Sequence, residues 1–131
     1  MPYPSSFSDG ELLNATRLNQ LLTGMNTGGG AGTASATGGA ATLAEPSGTI
    51  TSEALTTAAA SAYTLTITNT TVAAASMVFA SVCNGTNTQG QLVVETVTPG
   101  SGSIVIVVRN RHASEALNGT IKISFFVLGS V

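Results

Sequence analysis

Charge is what this chain most lacks. Of its 131 residues, four are Lys or Arg and six are Asp or Glu, 8% in all, where ordinary soluble domains carry about 25%. The net charge is −2, and no Lys precedes Lys122. Binding to nucleic acid draws on clustered cations that displace counterions, so nucleic acid is not expected as a partner. Trp is absent and aromatic residues make up 5%, which leaves few large rings for a core or a stacking surface. The single Cys83 excludes an intramolecular disulfide and a Cys-rich zinc site. The longest strictly aliphatic run, Ile104 to Val108, falls far short of the roughly 18 apolar residues a membrane span needs. Residues 1–10 show neither the basic nor the apolar region of a secretory signal. No membrane partner is expected.

Small residues fill the space that charge and aromatics leave. Thr, Ala, Gly and Ser account for 67 of the 131 positions, and their distribution divides the chain. Ser8-Asp9-Gly10-Glu11 has the spacing of a capping box. Leu12, Ala15, Leu18, Leu21 and Leu22 then recur at helical spacing up to Gly24, which predicts a short helix over 9–23. From Leu18 to Ala44 there is no charge, and Gly28, Gly29, Gly30, Gly32, Gly38 and Gly39 lie among Ala, Ser and Thr. That composition predicts a flexible or extended linker. It contains no phosphate-cradling G-x-x-x-x-G-K-[ST] motif.

Beyond Pro46 the period becomes two. In Tyr63-Thr64-Leu65-Thr66-Ile67-Thr68 the apolar residues share one face and the threonines the other, as in a half-buried strand. Segments 76–83, 91–98, 103–110 and 120–128, with a weaker one at 48–55, complete about six strands separated by Asn84-Gly85, Pro99-Gly100-Ser101-Gly102 and Asn118-Gly119. The fold class expected is mainly β: an antiparallel β-sandwich, jelly-roll-like, over residues 45–131, preceded by an arm over 1–44 made of the short helix and the Gly/Ala-rich linker. Ile104 to Val108 and Phe125 to Leu128 are apolar on both faces. A strand of that kind asks for cover on its second face, and the expected cover is another subunit, with Val105, Val107, Phe126 and Leu128 at the contact.

No constellation for catalysis stands out, and the chain is not expected to be an enzyme. His112, the only histidine, has no nucleophile with an identifiable role beside it and reads as a turn or interface residue. Cys83 has no Lys or Arg within 25 residues, so it reads as a small core side chain rather than a reactive thiolate. The carboxylates are scattered, which gives no metal site and no acid–base pair. Asn14, Asn69, Asn84 and Asn118 begin N-x-[ST] triplets but read as turn residues. Arg109 and Arg111, two apart on a strand, point to one side, where they either pair with acidic groups of a neighbouring subunit or form a solvated strand end.

The strings Asn84-Gly85-Thr86-Asn87-Thr88, Thr98-Pro99-Gly100-Ser101-Gly102-Ser103-Ile104-Val105-Ile106-Val107-Val108-Arg109-Asn110 and His112-Ala113-Ser114-Glu115-Ala116-Leu117-Asn118-Gly119-Thr120-Ile121-Lys122-Ile123-Ser124-Phe125 resemble the C-terminal domain of tailed-bacteriophage virion proteins, the small head-decoration (cement) and head-fibre proteins. The resemblance covers about residues 45–131. It implies a β-rich homotrimer on the outer surface of the capsid, assembled in the host cytoplasm, with an N-terminal arm contacting the major capsid protein and no cofactor or metal. The residues that answer to the capsid-binding arm are Leu12, Leu13, Leu18, Leu21 and Leu22. The alternative is a receptor- or glycan-binding tip of a phage fibre, for which aromatics able to stack on sugars look too few, most of them being expected in the core.

Overall fold

A computed structural model of the protein describes residues 31–129. The helix expected over 9–23 and its leucines Leu12, Leu13, Leu18, Leu21 and Leu22 lie outside the described residues. Eight strands follow one another: β1 (Ala31–Ser35), β2 (Ala40–Thr42), β3 (Ser47–Thr51), β4 (Ala62–Thr68), β5 (Met77–Asn84), β6 (Leu92–Gly100), β7 (Ser103–Asn110) and β8 (Ile121–Leu128). They form two four-stranded sheets, ordered β1-β3-β8-β5 and β2-β4-β7-β6. The chain is mainly β, as expected, but the sheets are mixed rather than antiparallel throughout. β1 runs parallel to β3 and β2 parallel to β4, whereas every other pair is antiparallel.

The two parallel pairs come from the stretch expected to be linker. From Ala31 onward that stretch is the outer strand of both sheets, so the expected boundary after Ala44 falls inside the β structure. Composition misled because glycine here makes room. A side chain at Gly32 would meet Leu43 at 2.8 Å, and one at Gly48, the partner of Gly32 across the ladder, would meet Leu43 at 2.5 Å and the Gly32 carbonyl at 2.8 Å. Leu43 occupies the space that two missing Cβ atoms leave. Gly38 and Gly39, with φ of 59° and 78°, make the tight turn closed by reciprocal hydrogen bonds between Thr37 and Ala40. Two successive positive φ values suit glycine and match the twist of a two-residue hairpin turn.

Only β6 and β7 are joined within one sheet, through Ser101 and Gly102; every other connection passes from one sheet to the other. The period-two pattern selects the inner faces. Tyr63, Leu65, Ile67, Ile104, Ile106 and Val108 from one sheet and Ile50, Ile121, Ile123, Phe125 and Val127 from the other are buried in a single core. At about 1.5–3 kcal/mol for each large apolar side chain removed from water, that core is the main source of stability in a domain with few ion pairs.

The connections tie together at two ends. At one end, Asn69 N donates to Gly102 O, Gly102 N to Val72 O, the Asn69 side-chain amide to Glu45 O, and the Ser76 hydroxyl to Gly129 O. This is the end at which the chain enters β1. At the other, fully buried Asn110 links three loops: its amide nitrogen donates to Glu115 O at 2.8 Å and lies 3.3 Å from both Thr57 O and Ala58 O, while its Oδ1 accepts from Gln91 N and His112 N. Two Asn-Gly-Thr turns also interlock there. Thr86 N donates to Thr120 Oγ1 and Thr120 N to Thr86 Oγ1, each at 2.9 Å. Among the described residues no buried side-chain nitrogen or oxygen lacks a partner, as the cost of an unpaired buried polar group requires.

One carboxylate fastens β2 to the rest. Glu53 accepts from the Gly39 amide at 2.9 Å and from the Tyr63 hydroxyl at 3.0 Å. Burial, then the hydrogen bond and charge of Glu53, push the Tyr63 phenol well above its usual range. A pKa raised by folding contributes stability that is intact below the unfolded value, about 10 for tyrosine, and is lost as the pH rises past it. Tyr63→Phe is expected to lower stability by about 1 kcal/mol at neutral pH and to flatten the alkaline loss of stability. Urea unfolding of both proteins at neutral pH and at about pH 11 measures both effects; equal alkaline slopes would refute the assignment.

Candidate functional site

β8 is central and amphipathic, with Ile121, Ile123, Phe125 and Val127 turned into the core and Lys122, Ser124, Phe126 and Leu128 turned outward. β5 pairs with it antiparallel without interruption over eight residues, placing Met77 opposite Leu128, Phe79 opposite Phe126, Ser81 opposite Ser124 and Cys83 opposite Lys122. The first two rows form a square of four large apolar side chains, with 59% of Met77, 54% of Phe79, 39% of Phe126 and 46% of Leu128 accessible to solvent. They are the only large hydrophobic residues exposed among those described. Beside them lies a shallow, open depression of about 250 Å³ lined by Phe79, Ala80, Ser81, Ser124, Phe125 and Phe126. Contiguous exposed apolar surface on a small domain marks a place of contact.

Phe126 and Leu128, expected at a subunit contact, thus sit on this patch. Val105 and Val107, expected with them, lie on the outward face of the other sheet and are half-buried. Thr66 and Thr98 flank Val105, and Thr64 and Thr96 flank Val107, so neighbouring threonines shield both valines. The four residues do not converge on one surface. Sequence reasoning missed Met77 and Phe79, because their partnership with Leu128 and Phe126 depends on a strand register that no local pattern encodes. The expectation that most aromatics are buried fails for the same pair: Phe79 and Phe126 are both exposed, as period two assigns them to the outward face.

The remaining residues singled out from sequence have local roles. Arg109 donates from Nε to Glu95 Oε1 at 2.7 Å and from Nη1 to Ala60 O at 2.9 Å. That pairing holds the exposed Glu95 carboxyl below its usual range at the irregularity between Val94 and Thr96 of β6. His112 Nδ1 accepts from the Ser114 and Glu115 amides at 3.1 and 2.9 Å, which makes it a turn residue. Asn69 is fully buried, Asn84 accepts from Asn87, and Asn118 pairs with Thr88 through both side-chain atoms. All three organise turns, and Asn14 lies outside the described residues. Cys83 is exposed rather than in the core, because the register sets it outward opposite Lys122, far away in sequence. Among the described residues no three His, Cys, Asp or Glu side chains are placed to hold a metal ion.

No protein-family model, curated protein or solved structure matches the chain.

Proposed function

We propose that the protein is a structural virion component that binds the outside of a bacteriophage capsid as a homotrimer and stabilises the shell. In this reading the two sheets form a β-sandwich of the jelly-roll kind with parallel edge strands added, and residues 1–30 carry the capsid-binding leucines. The observation that carries the reading is the square of Met77, Phe79, Phe126 and Leu128. An uncharged apolar patch suits a protein–protein contact, and it includes Phe126 and Leu128, two of the four residues that the two-sided apolar pattern of the sequence assigns to subunit association. Outward faces of two sheets that share one core point away from each other. If both were used head to tail they would build an open stack rather than a ring, so the trimer contact is assigned to the Phe126 face alone.

Sedimentation equilibrium should give three times the chain mass at micromolar concentration. Phe79→Asp with Phe126→Asp should give a folded monomer, because burying a charge at the contact costs several kcal/mol while the same carboxylates are solvated in the free chain. The trimer should co-sediment with purified empty capsids, and its affinity should change little with salt, since apolar contacts are not screened. A monomeric wild type, or a trimer indifferent to both substitutions, removes the patch from assembly.

One observation favours a fibre-tip role instead. Phe79 and Phe126 stand side by side on an open depression that also carries Ser81 and Ser124, and an apolar ring beside hydroxyls is the chemistry that holds a sugar face. Retention of a monomeric wild type on immobilised host oligosaccharide, lost in Phe79→Ser, would establish that role.

A further inference from the structure

We propose that the two interlocked turns are a latent deamidation site, in which Asn84-Gly85 and Asn118-Gly119 are each held unreactive by the other turn until the pair separates. The proposal concerns the β domain alone and does not depend on what the protein binds.

The chain contains two Asn-Gly pairs, and the fold brings both to this one place. Asparagine before glycine is chemically labile. The glycine nitrogen loses its proton to water and attacks Cγ of the asparagine; a C–N bond closes a succinimide ring, and the side-chain nitrogen leaves as ammonia. Water then adds to one of the two ring carbonyls, giving aspartate or, where the backbone now runs through the former side chain, isoaspartate. Glycine has no Cβ to obstruct the closure and rotates freely into it. The reaction makes two geometric demands: a glycine N–H that is not already bonded, and an asparagine carboxamide free to swing onto it.

Neither turn meets both demands. At Asn84-Gly85 the nitrogen that would attack donates to Thr120 O at 2.9 Å, and the carboxamide that would be attacked accepts from Asn87 Nδ2 at 2.8 Å. At Asn118-Gly119 the restraint falls on the carboxamide, whose Oδ1 accepts from Thr88 N and whose Nδ2 donates to Thr88 Oγ1, both at 2.8 Å. Gly119 is buried. The Asn87 nitrogen and the Thr86 carbonyl carbon lie 2.7 and 2.8 Å from where its Cβ would stand, so its peptide has no room to turn. Asn87, itself buried, serves both pairs: it donates to Asn84 Oδ1 and accepts from Asn118 N. Gly85 is thus restrained by the turn that contains Asn118, and Asn118 and Gly119 by residues 86–88.

An opening that parts the turns frees both pairs together. Isoaspartate at position 84 lengthens the backbone ahead of Gly85, so that Gly85 N and Thr86 N no longer reach Thr120 O and Thr120 Oγ1, and the second pair loses its restraint. A transient opening is thereby made permanent, with a new carboxylate at each reacted site.

The test incubates the full-length protein at mildly alkaline pH, folded or in denaturing urea, and follows each Asn-Gly by peptide mass spectrometry. Where opening is rare and reclosing fast, the folded rate is scaled by the open population. Both sites are expected to react at least about a hundredfold more slowly in the folded protein than in urea. Chains modified at both sites are expected to exceed the product of the two single-site fractions. Thr88→Ala removes one bond to the Asn118 carboxamide from an exposed position. It should speed the reaction at Asn118 about fivefold, the effect of one hydrogen bond on an opening equilibrium, and leave Asn84 within about twofold of its rate; Thr88→Ser should stay slow at both. An unchanged melting temperature separates release of Asn118 from general loosening, and should Thr88→Ala melt lower, the wild-type rates and the doubly modified fraction decide. Equal rates in folded and unfolded protein at either site, doubly modified chains no commoner than chance, or a stable Thr88→Ala protein with Asn118 as slow as before would each overturn the proposal.

Discussion

Gly119→Ala is expected to be among the most damaging single methyl additions in the described domain. A Cβ at Gly119 would stand 2.7 Å from the Asn87 nitrogen and 2.8 Å from the Thr86 carbonyl carbon, besides 2.6 Å from the Thr86 hydroxyl. A hydroxyl can turn away, but the backbone of the facing turn cannot move without breaking what it carries. Asn87 N donates to Thr120 O, Asn118 N to the Asn87 side chain, and Leu55 N to Gly119 O. Overpacking of a closely fitted site costs typically about 1–3 kcal/mol, and several hydrogen bonds are lost here together. A fall in Tm of roughly 10–20 °C is expected for a domain of about 100 residues. Gly102→Ala separates this effect from glycine's backbone freedom. Gly102 has φ of 79° with nothing within 4 Å of its missing Cβ, so it should cost about 1–2 kcal/mol from conformation alone. Calorimetry of the two variants should place Gly119→Ala well below Gly102→Ala; the reverse order would mean that the interlocked turns yield easily.

Those turns show how far the sequence could be read. Asn84-Gly85 and Asn118-Gly119 are legible as the ends of strands, because the residue types that favour turns are local. What they do is not local: each Asn-Gly-Thr fits the other across 34 residues, and the glycines serve close approach rather than hairpin geometry. The inner face of β4 was legible from period two, since burial of alternate residues leaves its mark on the strand itself, whereas Ile104 to Val108 of β7 and Phe125 to Leu128 of β8 are apolar on both faces and do not say which side is inward. The outer strands were not legible. β1 and β2 are made of Ala, Gly, Ser and Thr, contribute little side-chain volume, and are held mainly by backbone pairing and by Leu43 and Glu53. Nothing in their own composition separates them from a linker. The candidate site was half legible for a related reason. Phe126 and Leu128 stand out in an apolar run, whereas Met77 and Phe79 gain their meaning only from the register with β8, and Val105 and Val107 lose theirs only when Thr64, Thr66, Thr96 and Thr98 are seen beside them.

Truncation at two points should separate the domain from what precedes it. A chain beginning at Ala31 keeps all eight strands, the Thr37–Ala40 turn and the Glu53 bonds. It is expected to fold, with a melting temperature close to that of the full chain, and to lose binding to empty capsids if the leucines at 12, 13, 18, 21 and 22 anchor it. A chain beginning at Thr42, eleven residues further on, loses β1 entirely and β2 but for its last residue. The outer edge of β3 is then bare along Ser47–Thr51 and that of β4 at Thr66 and Ile67. The Glu53 carboxylate loses the Gly39 amide, and Ile50 and Ile67, fully buried in the intact chain, lose the cover of Ala34, Ala36 and Ala41. Bare edges of this kind pair with other chains, so the shorter protein should aggregate or melt far lower. Thermal unfolding followed by circular dichroism, with light scattering for aggregation, distinguishes the two truncations. Equal stability would mean that β1 and β2 are peripheral to the domain after all. Full capsid binding by the chain from Ala31 would transfer the contact from the leucines to the β domain.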